Sequence, residues 1–302
     1  MAKDAPPPSD RRPIRHLIRR LIGAPTVLAI VWPALLLCVG YAAWHRWGAE
    51  HFARRYFGID VRQIEVTPPP EEIRSKVGDL VRQVYEETAL DQLSLLDASA
   101  SSKIASAFSI NPWVRQVVSV RKLPEGRVDV RLAYRRPVAM VYIECENGFF
   151  AVDGEGMLLP DKDFSPGDTE RYVHIVVADY CPKGNQLYPG QPLGDHRIEA
   201  AARLAEYLMP YLQSNRIRLI RITGDPRQSP RPQMEVLEGD RDDLARYYRG
   251  DENALLRFFW GSAPGSELPG EDTAAMKVQR LISGASPGSD LRMASPPGRS
   301  LQ

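Results

Sequence analysis

The residues able to do covalent or redox chemistry are few and scattered. The five histidines, His16, His45, His51, His174 and His196, fall at spacings that match no metal-ligand pattern, and the three cysteines form no CxxC. A structural zinc or a dithiol redox centre has no foothold. No GxGxxG follows a strand-like run, and GxxxxGK[ST] and GxSxG are absent, so phosphate cradling and a serine nucleophile elbow lack their glycine frames. Asp153 and Glu155 can be read as an acid–base pair, but they sit beside Gly154 and Gly156, where carboxylates commonly cap turn amides. Cys38 lies in a hydrophobic run, which leaves Cys145 and Cys181. They can pair if this part of the chain is exported; otherwise they are two separate thiols.

Lys plus Arg at 39 against Asp plus Glu at 38 gives a formal charge of +1, so the overall basic footprint of a nucleic-acid binder is missing. Pro and Gly concentrate at residues 4–13, 68–70, 226–232 and from 263 onward, where they mark tails and linkers. Residues 1–22 form a basic tail carrying Lys3, Arg11, Arg12, Arg15, Arg19 and Arg20. Residues 23–44 carry no charged side chain, a run whose helical rise covers the roughly 30 Å hydrocarbon core of a bilayer. A single membrane-spanning helix over residues 23–47 is therefore expected, in contact with lipid, with the basic tail cytoplasmic and the rest extracytoplasmic. Gly40-Tyr41-Ala42 offers the competing reading of a cleaved signal peptide, but the apolar run exceeds the usual h-region of about 7–15 residues.

The elements that follow read as an α+β protein. Residues 60–66 alternate as a strand, and a helix is expected from Glu71, with Ile73, Val77, Leu80, Val81 and Val84 on one face. A second helix carries Ile104 and Phe108, capped by Asp97 or Ser99 and ended by Asn111-Pro112. Val114, Val118 and Val120 then give a strand, Pro124 and Gly126 a turn, and Val128, Val130, Leu132 and Tyr134 a second strand that Pro137 stops. Further on, residues 140–146 and 149–152 flank Asn147-Gly148, a strong hairpin signal. Residues 195–212 form a helix, residues 216–223, 233–238 and 253–260 strands, and residues 239–250 a charged, solvated loop.

The order strand, helix, helix, strand, strand resembles a POTRA module. With the basic leader, the hydrophobic run and the stretch NPWVRQVVSVRKLPEGRVDVRLAYRRPVA at 111–139, the chain resembles the bacterial cell-division family FtsQ/DivIB. The residues that carry the resemblance are Pro112, Trp113, Val114, Arg121, Pro124, Arg136, Pro137, Val138 and Ala139. Toward the C-terminus they are Trp260, Gly261, Lys277, Leu281, Asp290, Leu291 and Arg292. Met293 stands where an aromatic residue is common in the family.

The resemblance implies a POTRA-like domain at 58–137, a mainly antiparallel β domain with flanking helices at 138–293, and a disordered tail at 294–302. It implies a non-enzymatic, single-pass inner-membrane scaffold of the divisome, without cofactor, metal or small-molecule substrate. Such a scaffold receives division partners of the FtsB and FtsL type on an edge strand at residues 290–293 and regulates septal peptidoglycan synthesis. On that basis Lys277, Leu291, Arg292 and Met293 are the partner-binding candidates, while Trp113 is expected to be a buried aromatic of the POTRA-like module. Two alternatives stand beside this reading. One is a membrane-anchored envelope hydrolase with dispersed catalytic residues, and the other a POTRA-bearing component of an export or assembly machine.

Overall fold

The computed structural model describes residues 25–48, 58–74, 77–182, 187–212, 216–223 and 232–293. The tails expected at 1–22 and 294–302 lie outside the described residues. The chain divides into two compact units, one comprising Val61–Leu90 with Ser101–Gln302 and the other Met1–Asp60 with Asp91–Ala100.

The membrane-spanning helix expected over 23–47 is corrected by the structure. Helix α1 runs Pro25–Ala43, 19 residues, and passes into a π-helical turn at Trp44–Gly48. At about 1.5 Å per residue it measures about 28 Å, and among the described residues no helix is long and apolar enough to cross a membrane. The uncharged run of residues 23–44 is longer than the described helix, which covers Pro25–Ala43, carries Pro33 inside it and gives way to a π-helical turn at Trp44.

The unit comprising Val61–Leu90 and Ser101–Gln302 contains a three-stranded and a six-stranded sheet. The first is built from β1 (Ile64–Val66), α2 (Val77–Glu87), α3 (Ala100–Ser109), β2 (Val114–Lys122) and β3 (Val128–Tyr134). Its strand order is β1-β3-β2, with β1 parallel to β3 and β2 antiparallel to it. Alternation puts Val128, Val130 and Leu132 of β3 inside, and Leu80, Val81 and Val84 form the buried face of α2. The turn between β2 and β3 works as composition requires: Pro124 opens it, Glu125 and Gly126 take positive φ, and the Leu123 amide donates to the Arg127 carbonyl at 2.8 Å. β1 is shorter than expected because residues 61–63 coil into a 3-10 turn.

The six-stranded sheet has the order β5-β4-β6-β7-β8-β9. Its strands are β4 (Ala139–Ile143), β5 (Gly148–Val152), β6 (Val173–Val177), β7 (Ile217–Thr223), β8 (Gln233–Glu238) and β9 (Leu256–Gly261), with α4 (His196–Leu208), α5 (Arg241–Tyr248) and α6 (Ala274–Ile282). The expectation of a mainly antiparallel domain is corrected here, since β6 lies between β4 and β7 and pairs with both in parallel, making the sheet mixed. The reason is topological. Helix α4 connects β6 to β7 as a crossover, and a crossover returns the chain in the same direction, which period-two alternation cannot reveal.

Two elements escaped the sequence reading. β6, VHIVV, is a short apolar run without alternation, the pattern of a strand buried on both faces. Residues 239–250 are not a solvated loop: α5 starts at an Asp240/Asp243 capping box and buries Leu244.

The main core lies between one face of the six-stranded sheet and helices α4 and α6. It is formed by Val141, Ile175, Ile220, Val236, Phe258 and Trp260 against Ile198, Leu204, Val278 and Leu281. A second cluster joins the two sheets: Trp113 packs with Ile73, Met140, Ala151 and Leu159. The Trp113 indole Nε1 donates to Asp163 Oδ2 at 2.8 Å. Trp113 is thus buried as expected, but its partners reach beyond the three-stranded sheet. Arg135 adds ion pairs to Asp153 at 2.5 Å and to Glu155 at 2.9 Å across the same junction. Cys145, in the turn between β4 and β5, is joined by a disulfide to Cys181, beyond the end of β6, with Cα atoms 6.0 Å apart.

Candidate docking site

The sheet ends at β9, whose inner side pairs antiparallel with β8. Phe258 and Trp260 enter the main core and Phe259 between them stays exposed, as the pleat requires, while Leu256 at the start of the strand is exposed as well. Along the outer side runs a short segment held by main-chain bonds. The Gly288 amide donates to the Arg257 carbonyl at 2.7 Å, the Phe259 amide to the Ser289 carbonyl at 3.1 Å, and the Leu291 amide to the Phe259 carbonyl at 2.9 Å. Phe259 and Asp290 form a parallel bridge. Because Ser289 and Leu291 supply the groups aimed at β9, the N–H and C=O of Asp290 point the other way, and neither has a main-chain partner among the described residues.

Helix α6 supports this edge from the core side, burying Ala274, Lys277, Val278 and Leu281. Lys277 is fully buried: its Nζ lies 2.6 Å from Glu271 Oε1 and 5.2 Å from the centre of the Trp260 ring. Glu271 also accepts the Ser262 amide at 2.7 Å and the Leu268 amide at 2.8 Å. Burial by itself would raise this carboxyl, but those amides and the Lys277 ammonium hold it below the ordinary glutamate value. Gly261 closes β9 with φ at +88°, and a Cβ there would lie 2.3 Å from Glu271 Oε1 and 2.7 Å from Arg292 Cγ. Only glycine fits both the conformation and the space.

The four candidates therefore differ in what they present. The side chains of Lys277 and Leu291 are interior, one in the ion pair and the other in the main core. Arg292 is partly exposed, and its guanidinium is bonded to Asp290, whose carboxyl lies below the ordinary range because Arg292 donates to it. Met293 is exposed over 63% of its surface. Residues 290–293 do not form the extended strand the sequence suggested; Asp290 Oδ1 accepts the Arg292 amide at 2.9 Å and bends the segment into a turn.

Sequence reasoning missed Glu271, Phe259 and Arg280. The Arg280 guanidinium donates to the carbonyls of Leu291 at 3.1 Å and Met293 at 2.8 Å, and to the Asp272 carboxylate. No periodic signal marks it, since two of its three acceptors are main-chain oxygens.

The chain matches no family model and no curated protein. A hollow of about 290 Å³ is lined by Arg115, Arg135, Asp153, Glu155 and Glu206, among other residues. In it Asp153 accepts the Glu155 and Met157 amides, and Glu155 pairs with Arg115 and Arg135. These groups hold a turn and a sheet junction together. Among the described residues no cluster of His, Cys, Asp or Glu is arranged to hold a metal.

Proposed function

We propose that the chain is a non-enzymatic docking module of the bacterial divisome. In this reading it receives an extended segment of an FtsB- or FtsL-type partner at the β9 edge and thereby regulates septal peptidoglycan synthesis. The observation that carries it is the outward-facing main chain of Asp290, without a main-chain partner among the described residues, beside the exposed Met293, at the end of a sheet whose last strand keeps Phe259 and Leu256 in solvent. An incoming strand gains main-chain bonds there, and the apolar side chains select it. The resemblance carried by residues 111–139 and 290–292 supports the assignment to the FtsQ/DivIB type.

An extracytoplasmic position fits the Cys145–Cys181 disulfide, because such bonds persist in oxidising compartments. The test is twofold. Depletion in cells should give filaments with unfinished septa, and the purified chain should bind the extracytoplasmic segment of the FtsB-type partner with a stoichiometry measurable by calorimetry. Normal septation after depletion, together with no heat of binding, discards the reading.

A further inference from the structure

β9 stops at Gly261, whose positive φ turns the chain away from the sheet. The segment beside it continues past that point. Leu291 still donates its amide to Phe259, but the carbonyls of the last described residues need donor partners that β9 no longer supplies. Those partners come from the α6 side. Arg280 bridges the Leu291 and Met293 carbonyls, the Asp272 amide takes the Arg292 carbonyl at 2.8 Å, and the Asp272 carboxylate holds the Arg280 guanidinium. Three successive carbonyls are thus tied down by one side chain and the residue that orients it.

We infer that Arg280 is the positioning residue of the docking edge: by replacing the missing continuation of β9 it fixes residues 290–293, so that the Asp290 N–H and C=O stand ready for a partner strand. This inference rests on the docking function proposed above. Arg280 touches no partner in this arrangement; it acts by reducing the ordering that binding would otherwise require. The planar fork is needed, because an ammonium is a point donor that does not match two carbonyls and a carboxylate at once. Lysine at this position keeps the charge and loses the function.

The experiment uses the full chain and its Arg280→Lys and Arg280→Gln variants, with two readouts. The first is amide hydrogen exchange at Leu291 in the free protein, set against the urea midpoint of the whole chain. The second is affinity for the extracytoplasmic segment of the FtsB-type partner. The inference predicts Leu291 exchange at least about tenfold faster and binding at least about tenfold weaker in both variants, the tenfold corresponding to about 1.4 kcal/mol, at an unchanged urea midpoint. Unchanged exchange overturns it, as does faster exchange with undiminished binding, or a loss of binding that only follows a lowered midpoint. If the wild-type chain itself does not bind the segment, the docking function fails and the inference falls with it. The exchange readout then still separates that failure from a wrong account of what Arg280 holds.

Discussion

Two sheet edges of this protein meet solvent under different rules. β2 is the edge of the three-stranded sheet, nine residues long, and its pairing with β3 is broken by register shifts at Val114/Gln116 and Val117/Ser119. Arg115, Gln116, Arg121 and Lys122 along it are exposed. Bulges and charges of this kind blunt a long edge against pairing with another chain. β9 has six residues and a single register shift against β8, and its outer side is partly occupied by a tethered segment in which the Asp290 main chain has no main-chain partner among the described residues. The contrast teaches that accessibility alone does not make an edge a docking site. What differs is whether the outward groups are fixed in direction: the segment beside β9 is tied by main-chain bonds, and its Asp290 and Arg292 charges are paired with each other.

The largest expected effect comes from breaking the support of the β9 edge. Glu271→Ala strands the Lys277 ammonium in the core, and removing one partner of a buried pair costs about 3–5 kcal/mol, read as a lowered midpoint in urea unfolding. An unchanged midpoint would show that the pair is not buried in solution.

Proline substitution separates the two edges directly. Leu291→Pro removes the amide that bonds Phe259 and should abolish partner capture, whereas Val118→Pro, at a β2 position outside the paired register, should leave capture intact. Equal effects at both positions would erase the distinction drawn between them.

Gly261→Ala should cost about 1–3 kcal/mol, because a side chain there meets both a left-handed backbone and the Glu271 carboxylate. Thermal unfolding reports it. Replacing Arg121 and Lys122 by valine should leave the unfolding midpoint within about 0.5 kcal/mol while producing concentration-dependent association by light scattering, since the charges at the β2 edge are removed.

The smallest effect is one of pH. Glu238 ends β8 opposite Leu256 of β9, and burial pushes its carboxyl from 4.5 up to about 7, against the nearby Arg216. Its Oε1 is buried without a hydrogen-bond partner. A raised folded value means that the stability this group contributes is fully present below about pH 4.5 and is lost as pH rises through about 7. Glu238→Gln should therefore flatten the decline in melting temperature between pH 5 and 8 (about that span covers the titration). A slope identical to wild type would refute the assignment.

Much of the fold was legible because local rules act on neighbours in sequence. The alternation of residues 128–134 gave β3, Asn147-Gly148 gave the turn into β5, and the apolar spacing of residues 198–208 gave α4, whose Asp195 caps it. The Asp153 turn was likewise readable, since its carboxylate bonds amides two and four residues on. The site was less legible. Lys277 and Leu291 were marked by resemblance, yet the structure uses both as interior parts, and Arg280 was overlooked because main-chain oxygens leave no trace in a sequence pattern.

By itself, then, the sequence determined most of the strands and helices, though not β6 or α5, and where most of the turns fall, since these follow from side-chain periodicity and from the dihedral limits of Pro, Gly and Asn. Only the tertiary structure decided that β6 runs parallel between β4 and β7, that Cys145 meets Cys181, and that Asp290 faces outward at the end of the sheet. Each of those depends on which distant segments lie side by side. That choice is made by burial of the common core, to which residues far apart in the chain contribute together.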